Sequence, residues 1–172
     1  EPYFSLFIEG LNYKLHTFGK KLSCTIEART PPASQFRVIP KDLAYANNYV
    51  KINQYCDEVK IMAYDQGRID LDLNDLKGGH DLYMPVADPD WVEKVIKQTI
   101  PTISPKKFIL GIPTYGYIFE ISWKDNVTTY KRVSATTYPK AIELAKIVGA
   151  MPTRNSAGEL SFVYATSTSY TV

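Results

Sequence analysis

The 172-residue chain is long enough for one domain with a sizeable core, and its composition (45% hydrophobic, 22% charged) is that of a folded protein. Its net charge of +2 gives no electrostatic reason to expect nucleic acid or an anionic membrane as partner. No run of about 18 apolar residues occurs, so no helical membrane span is expected.

Along the chain, "PYFSLFIEGLNYKLHTFG" predicts a helix, because Phe4, Phe7, Ile8, Leu11 and Leu15 recur every three or four residues and Gly19 offers a stop. "LSCTIEART" predicts a strand ended by Pro31 and Pro32. "KDLAYANNYVKINQYC" predicts a second helix, with Leu43, Ala46, Tyr49, Val50 and Ile52 on its buried face. "EVKIMAYD" is the next strand, followed by a polar loop from Gln66 to about Ala87. "DPDWVEKVIKQTI" opens a third helix, capped by Asp88, with Pro89 at its first position and Asp90 and Glu93 at the positive end of its dipole. "KKFILGIPTYGY" is the third strand. Alternation of helix and strand over residues 1–117 implies right-handed βαβ units and a parallel sheet.

After Tyr117 the pattern changes. "YIFEISW", the turn "KDN" and "VTTYKRV" predict a hairpin. "TTYPKAIELAKIVGA" predicts a helix with Ala141, Leu144, Ala145 and Val148 on one side, and a second hairpin is expected around Asn155 to Gly158. A (β/α)₈ barrel spends about thirty residues per unit, so residues 1–117 amount to about three and a half units. The expected fold is therefore α/β: a partial (β/α)₈ TIM barrel over 1–117, then an α+β insertion over 118–172 that stops before the last barrel strand.

Ligands of such sheets bind at the C-terminal ends of the strands. In the first strand, Ser23, Thr25, Glu27 and Arg29 form the set that faces into the barrel. Glu27 and Arg29 then stand near its mouth, paired to each other or solvated in the loop. The second strand puts Met62 and Tyr64 on one face, with Asp65 and Gln66 at the rim. The third puts Gly111, Pro113 and Tyr115 on one face; a glycine inside a strand lets another group approach the backbone closely.

These strand ends carry a resemblance. "MAYD" after "CDEVKI" resembles the M-x-Y-D end of the sixth barrel strand of glycoside hydrolase family 18, and "FILGIPTYGY" resembles that family's seventh strand, G-x-P-x-Y-G. The order of parts matches over essentially the whole chain, and "VTTYKRV" and "YATSTSY" are similar to segments of its bacterial spore-germination and cell-wall branch. The resemblance implies substrate-assisted retaining hydrolysis of N-acetylglucosamine-containing glycans, chitin or peptidoglycan: the 2-acetamido oxygen attacks its own anomeric carbon, a glutamic acid protonates the leaving oxygen, and an aspartate steadies the acetamido group. It implies that Tyr64 and Asp65 are catalytic, Tyr64 bonding the acetamido oxygen and Asp65 contacting substrate at the rim. Met62 and Tyr115 would bind substrate beneath and beside the sugar. Gln66, Glu27 and Arg29 are kept as further cleft residues, without a counterpart in the motifs. Tyr117 stands where many chitinases have Arg.

The family's acidic motif, D-x-x-D-x-D-x-E at the end of strand four, is absent. The chain is therefore expected to be a C-terminal fragment of a longer glycosidase, inactive alone for want of the general-acid Glu. The alternative is a carbohydrate-binding, lectin-like barrel whose acid has decayed. No cofactor and no metal are expected, the oligomeric state is open, and the parent is expected outside the cytoplasm or at the cell wall.

Other signals weigh less. Thirteen tyrosines suit sugar binding and ordinary β-rich cores alike. Cys24 and Cys56 are expected as buried thiols rather than a bridge. "DLDLNDLKGGHD", Asp70 to Asp81, half-fits a calcium loop, but Asp75 replaces the turn glycine and Asp81 the final Glu, so a solvated acidic loop is expected. His16 and His80 lie too far apart in sequence, with no cysteine cluster, to suggest zinc. Asn126-Val127-Thr128 is a glycosylation sequon. No nucleophile elbow, phosphate loop or dinucleotide fingerprint occurs.

Overall fold

A computed structural model describes residues 1–78, 83–124, 127–165 and 170–171. Three parallel strands, β1 (Ser23–Glu27), β2 (Glu58–Met62) and β3 (Phe108–Gly111), form a sheet in the order β1-β2-β3. Its register sets Glu27 beside Met62 and Met62 beside Gly111. Cys24, Ile26, Val59, Ile61 and Ala63 are buried on the face covered by helices, while Ser23, Thr25 and Lys60 on the other face are exposed. This is the expected split of each strand into two sets. Among the described residues the sheet does not close into a barrel.

Helix α1 (Pro2–His16) forms as predicted, but its buried stripe is Ser5 and Ile8, with Leu11 and Leu15 partly buried. Phe7 is 62% exposed and Phe4 38% exposed, so the predicted stripe is turned by about one position. A short helix, α2 (Pro32–Gln35), starts within the Pro-Pro pair, with Pro31 at its N-cap. The second predicted helix is shorter than expected: α3 is Tyr49–Tyr55, capped by the Asn48 side chain, which accepts from Val50 N at 2.9 Å. Residues 41–48 carry helical periodicity but serve tertiary contacts instead. The Asn47 carbonyl and side chain accept bonds from Arg29, and Tyr45 lies against the Arg29 guanidinium.

Residues 70–77 are not a solvated loop. Asp70 is fully buried and caps α4 (Leu71–Lys77) by accepting from Leu73 N at 3.0 Å, and Lys94 pairs with both of its oxygens at 2.9–3.0 Å. A capping carboxylate already spent on a lysine is no open calcium ligand. Residues 79–81 of the expected loop, with His80, lie outside the described residues, as does Asn126 of the sequon. Helix α5 (Pro89–Thr99) begins as predicted, with Asp88 accepting from Asp90 N at 2.9 Å.

The cysteine expectation is corrected. Cys24 and Cys56 form a disulfide, with Cα atoms 5.9 Å apart, joining β1 to the end of α3. Strand and helix end face each other across the core, a proximity that 32 residues of separation conceal in the sequence.

Beyond β3, β4 (Tyr115–Lys124) and β5 (Val127–Thr137) form the first hairpin, with a bulge at Ile118/Phe119. Tyr115 thus opens the hairpin rather than closing the parallel strand. Helix α6 (Tyr138–Val148) ends at Gly149 in the left-handed conformation. The second hairpin is β6 (Thr153–Arg154) with β7 (Leu160–Ser161). Strands β8 (Tyr164–Ala165) and β9 (Tyr170–Thr171) complete a second sheet in the order β5-β4-β9-β8. Of the segment "YATSTSY", residues 166–169 lie outside the described residues.

Candidate functional site

The site is built around the exit of β2. After buried Ala63 the chain turns at Asp65, whose φ of 58° lies in the left-handed region that favours glycine. Gly67 follows at φ 56°. This reversal leaves Asp65 exposed and drives Gln66 inward. Gln66 is 3% exposed: its amide donates to the Tyr83 hydroxyl at 3.2 Å, and its oxygen accepts from Asp88 N at 2.8 Å. Gln66, expected at the rim, is therefore an internal brace, and its side chain does not line the cleft. Backbone bonds Gln66 N to Val86 O (3.0 Å) and Gly67 N to Pro85 O (2.9 Å) complete the clamp.

Below that clamp lies a buried ionic group. Asp88 is fully buried, and it accepts from Lys77 Nζ at 2.7 and 2.9 Å and from the Tyr83 hydroxyl at 2.7 Å. Burial pushes the Asp88 carboxyl up, but Lys77, Tyr83 and the Asp90 amide together outweigh it and hold the group below its ordinary value. The Tyr83 hydroxyl is raised by burial and by that carboxylate, so it remains a donor.

Above the clamp, Tyr64, Asp65 and Tyr115 come together, while Met62 ends β2 in register with Gly111. The Tyr64 ring lies over Gly111, where a Cβ would stand 3.1 Å from its Cε1 and 2.8 Å from Ile61 O. The close approach anticipated from a glycine inside a strand is thus that of the Ile61 carbonyl and, next, the Tyr64 ring. Tyr64 meets Tyr115 edge-on at 6.5 Å, and the row continues through Tyr117 (5.6 Å) to Phe119 (6.3 Å) along one face of β4. The Tyr115 hydroxyl donates to Asp65 Oδ1 at 2.7 Å, and the Tyr117 hydroxyl donates to the same oxygen. Burial and Asp65 raise Tyr115, and the bond to Asp65 raises Tyr117, so both hydroxyls keep their protons at neutral pH. The other Asp65 oxygen and the Tyr64 hydroxyl have no partner among the described residues. A free acceptor and a free donor thus stand on consecutive residues past the C-terminal end of a parallel strand, and both residues touch Tyr115.

Glu27 and Arg29 form a separate cluster one strand away. Arg29 donates to Glu27 Oε1 at 2.7 and 3.0 Å, Asn47 Nδ2 donates to Glu27 Oε2 at 2.5 Å, and the guanidinium lies 3.9 Å and 4.1 Å from the Tyr45 and Tyr49 ring centroids. Of the two sequence readings the paired one holds. With both oxygens already accepting, Glu27 is held as an acceptor and is badly placed to donate a proton.

Sequence reasoning named Tyr117 only as a departure from the Arg of many chitinases, without its bond to Asp65, and missed Asn47, Tyr45 and Arg132 as neighbours of these groups. The alternation Tyr115, Tyr117, Phe119 in "YGYIF" carried the signal for Tyr117; nothing local signalled the others. A larger hollow of about 770 Å³ lies beyond Tyr115 and Tyr117, between α5, the first hairpin and α6. Its walls are chiefly apolar. Its charged members are already engaged, Glu159 with Val86 N and Ala87 N, and Arg154 with Gly158 O.

A parallel sheet covered by helices, with tyrosine and carboxylate at its strand ends, defines the class, an α/β protein with a candidate site at the C-terminal ends of its strands. The profile of the family "Glycosyl hydrolases family 18" matches residues 1–171, and the chain belongs to that family. It is similar to the uncharacterized glycosylase YvbX of Bacillus subtilis (strain 168), 28% identical over 162 residues that cover 94% of this chain and 41% of that protein. The solved chitinase of Chromobacterium violaceum ATCC 12472 shares the fold, with TM-score 0.70 and 24% identity over 98% of this chain and 46% of that one. So does the spore cortex-lytic enzyme SleL of Bacillus megaterium QM B1551, with TM-score 0.69, 20% identity, and 98% and 34% covered. The chain thus spans about two-fifths of the curated relative's length.

Proposed function

We propose that this chain forms one wall of the substrate cleft of a glycosidase that cleaves N-acetylglucosamine-containing glycans, chitin or peptidoglycan, by substrate-assisted retaining hydrolysis. The observation that carries the proposal is the free donor and acceptor pair, the Tyr64 hydroxyl and the second Asp65 oxygen, fixed by Gly111, Tyr115 and Tyr117. An acetamido group presents the complementary pair, a carbonyl and an N–H. In this reading Tyr64 donates to the acetamido oxygen and stabilises charge as that oxygen closes on the anomeric carbon. Asp65 holds substrate at the rim, Met62 floors the sugar and Tyr115 walls it. The general acid comes from a part of the protein outside these 172 residues, since Glu27 is committed to Arg29 and Asn47. Glycosidase relatives and the family membership support the reaction class. A disulfide between Cys24 and Cys56 supports an oxidising compartment, outside the cytoplasm or at the wall.

The test is to read the complete gene. A segment ending in D-x-x-D-x-D-x-E upstream of the codon for Glu1 is the expected result. A non-acid at its last position would overturn the enzyme reading and leave a sugar-binding cleft.

A further inference from the structure

Beside Asp65 is a second, smaller hollow of about 160 Å³, lined by Asp65, Gly67, Met84, Pro85, Tyr117, Phe119, Tyr130 and Arg132. Ligand pockets usually run to about 300–1,000 Å³, so this one seats a substituent rather than a whole ligand. Strand register explains its composition: Phe119 pairs with Arg132 and Ile121 with Tyr130, which puts Tyr117, Phe119, Tyr130 and Arg132 on one face of the hairpin. Glu120 and Lys131 are paired with each other at the alternate position. The Arg132 guanidinium is held over the Tyr117 ring, 4.7 Å from its centroid. It is exposed, and none of the ion pairs or side-chain hydrogen bonds among the described residues uses it. An arginine held in place with its donors unspent is suited to a planar oxyanion. The ring beneath it bonds Asp65 through its hydroxyl, so the cation stands one tyrosine away from the proposed acetamido site.

Resting on the glycosidase reading above, we propose that Arg132 is a specificity-determining residue, receiving a carboxylate carried by the glycan and so favouring an acidic, peptidoglycan-type substrate over neutral chitin. The carboxylate has two sources, the lactyl acid of the sugar or the acid groups of an attached peptide. Asp65 repels an anion, which places the carboxylate at the Arg132 end of the hollow and the acetamido group at the other.

The test is calorimetric titration of the full-length gene product, and of its Arg132→Gln and Arg132→Lys variants, with four probes. They are the N-acetylglucosamine–N-acetylmuramic acid disaccharide, its lactyl methylamide, the corresponding muropeptide, and chitobiose. The free acid, the muropeptide or both should bind at least about tenfold more tightly than the methylamide. Arg132→Gln should erase that preference, Arg132→Lys should keep part of it, and chitobiose should change less than about twofold. Which of the two acidic probes shows the preference identifies the carboxylate. Equal binding of acid and amide, or a preference that survives Arg132→Gln, overturns the proposal while leaving the sugar site intact. Failure of the unaltered protein to bind any probe overturns the sugar-site reading, and this proposal with it.

Discussion

Asp65 is the single non-glycine residue with positive φ among the described residues, and it stands where the proposed chemistry stands. Such a conformation costs on the order of 1–3 kcal/mol, and it persists because Gln66, Tyr115 and Tyr117 determine it from three directions. Asp65→Asn tolerates the same backbone and removes only the charge. The melting temperature of the full-length protein should barely move, while turnover falls at least about tenfold. Tyr64→Phe should lower kcat by about 10²-fold, the usual effect of losing one donor to developing charge, again with little change in melting. Gly111→Ala is the structural counterpart. Its Cβ meets the Ile61 carbonyl and the Tyr64 ring, so both stability, by about 1–3 kcal/mol, and activity should fall. Much of this was legible from "MAYDQ" and "GIPTYGY": the tyrosine, the aspartate and the need for glycine. The inward turn of Gln66 was not, because it depends on a left-handed aspartate that no periodicity announces.

At the scale of elements, two devices tie the strands to their helices. The Asp88 carboxyl titrates below its ordinary value in the folded chain, so its stabilisation is present above the unfolded pKa of about 3.9 and is lost as pH falls through the folded value. Thermal melts should therefore drop steeply below about pH 4. Asp88→Asn, which leaves Lys77 with the exposed Asp90 as its remaining carboxylate, should cost roughly 1–3 kcal/mol at pH 7 and flatten that acid limb. The disulfide closes a 32-residue separation, for which chain entropy gives roughly 3–4 kcal/mol. A Cys24→Ala/Cys56→Ala double variant should melt markedly lower than the oxidised protein, and its melting should not respond to reductant. Most element identities could be read from capping and periodicity, as with Asp88-Pro89 before α5 and the turn at Gly158. The failures were tertiary. Residues 41–48 lose their helix to Arg29, α4 owes its start to the Asp70–Lys94 pair, and the bridge needs two segments that only folding brings together.

For the molecule as a whole, the parallel sheet ends on β1 and β3, which hydrogen-bond only to β2 among the described residues. Open edges of this kind invite pairing with other chains. The 172-residue chain purified alone should associate as its concentration rises, measured by light scattering, and should release no sugar from chitin or peptidoglycan. The order of parts and the split between parallel sheet and hairpin-rich region were written in the alternation of patterns. The proposed acid was not: of the carboxylates described at these strand ends, Glu27 is bound by Arg29 and Asn47, and Asp65 accepts from Tyr115 and Tyr117. The central claim is that Tyr64 and Asp65 serve a reaction in which the substrate's own acetamido group attacks. The direct measurement is to assay the full-length gene product on an N-acetylglucosamine oligomer and on the same oligomer stripped of its acetyl groups. Cleavage of the first with none of the second is the predicted result; equal cleavage of both, or cleavage of neither, would contradict it.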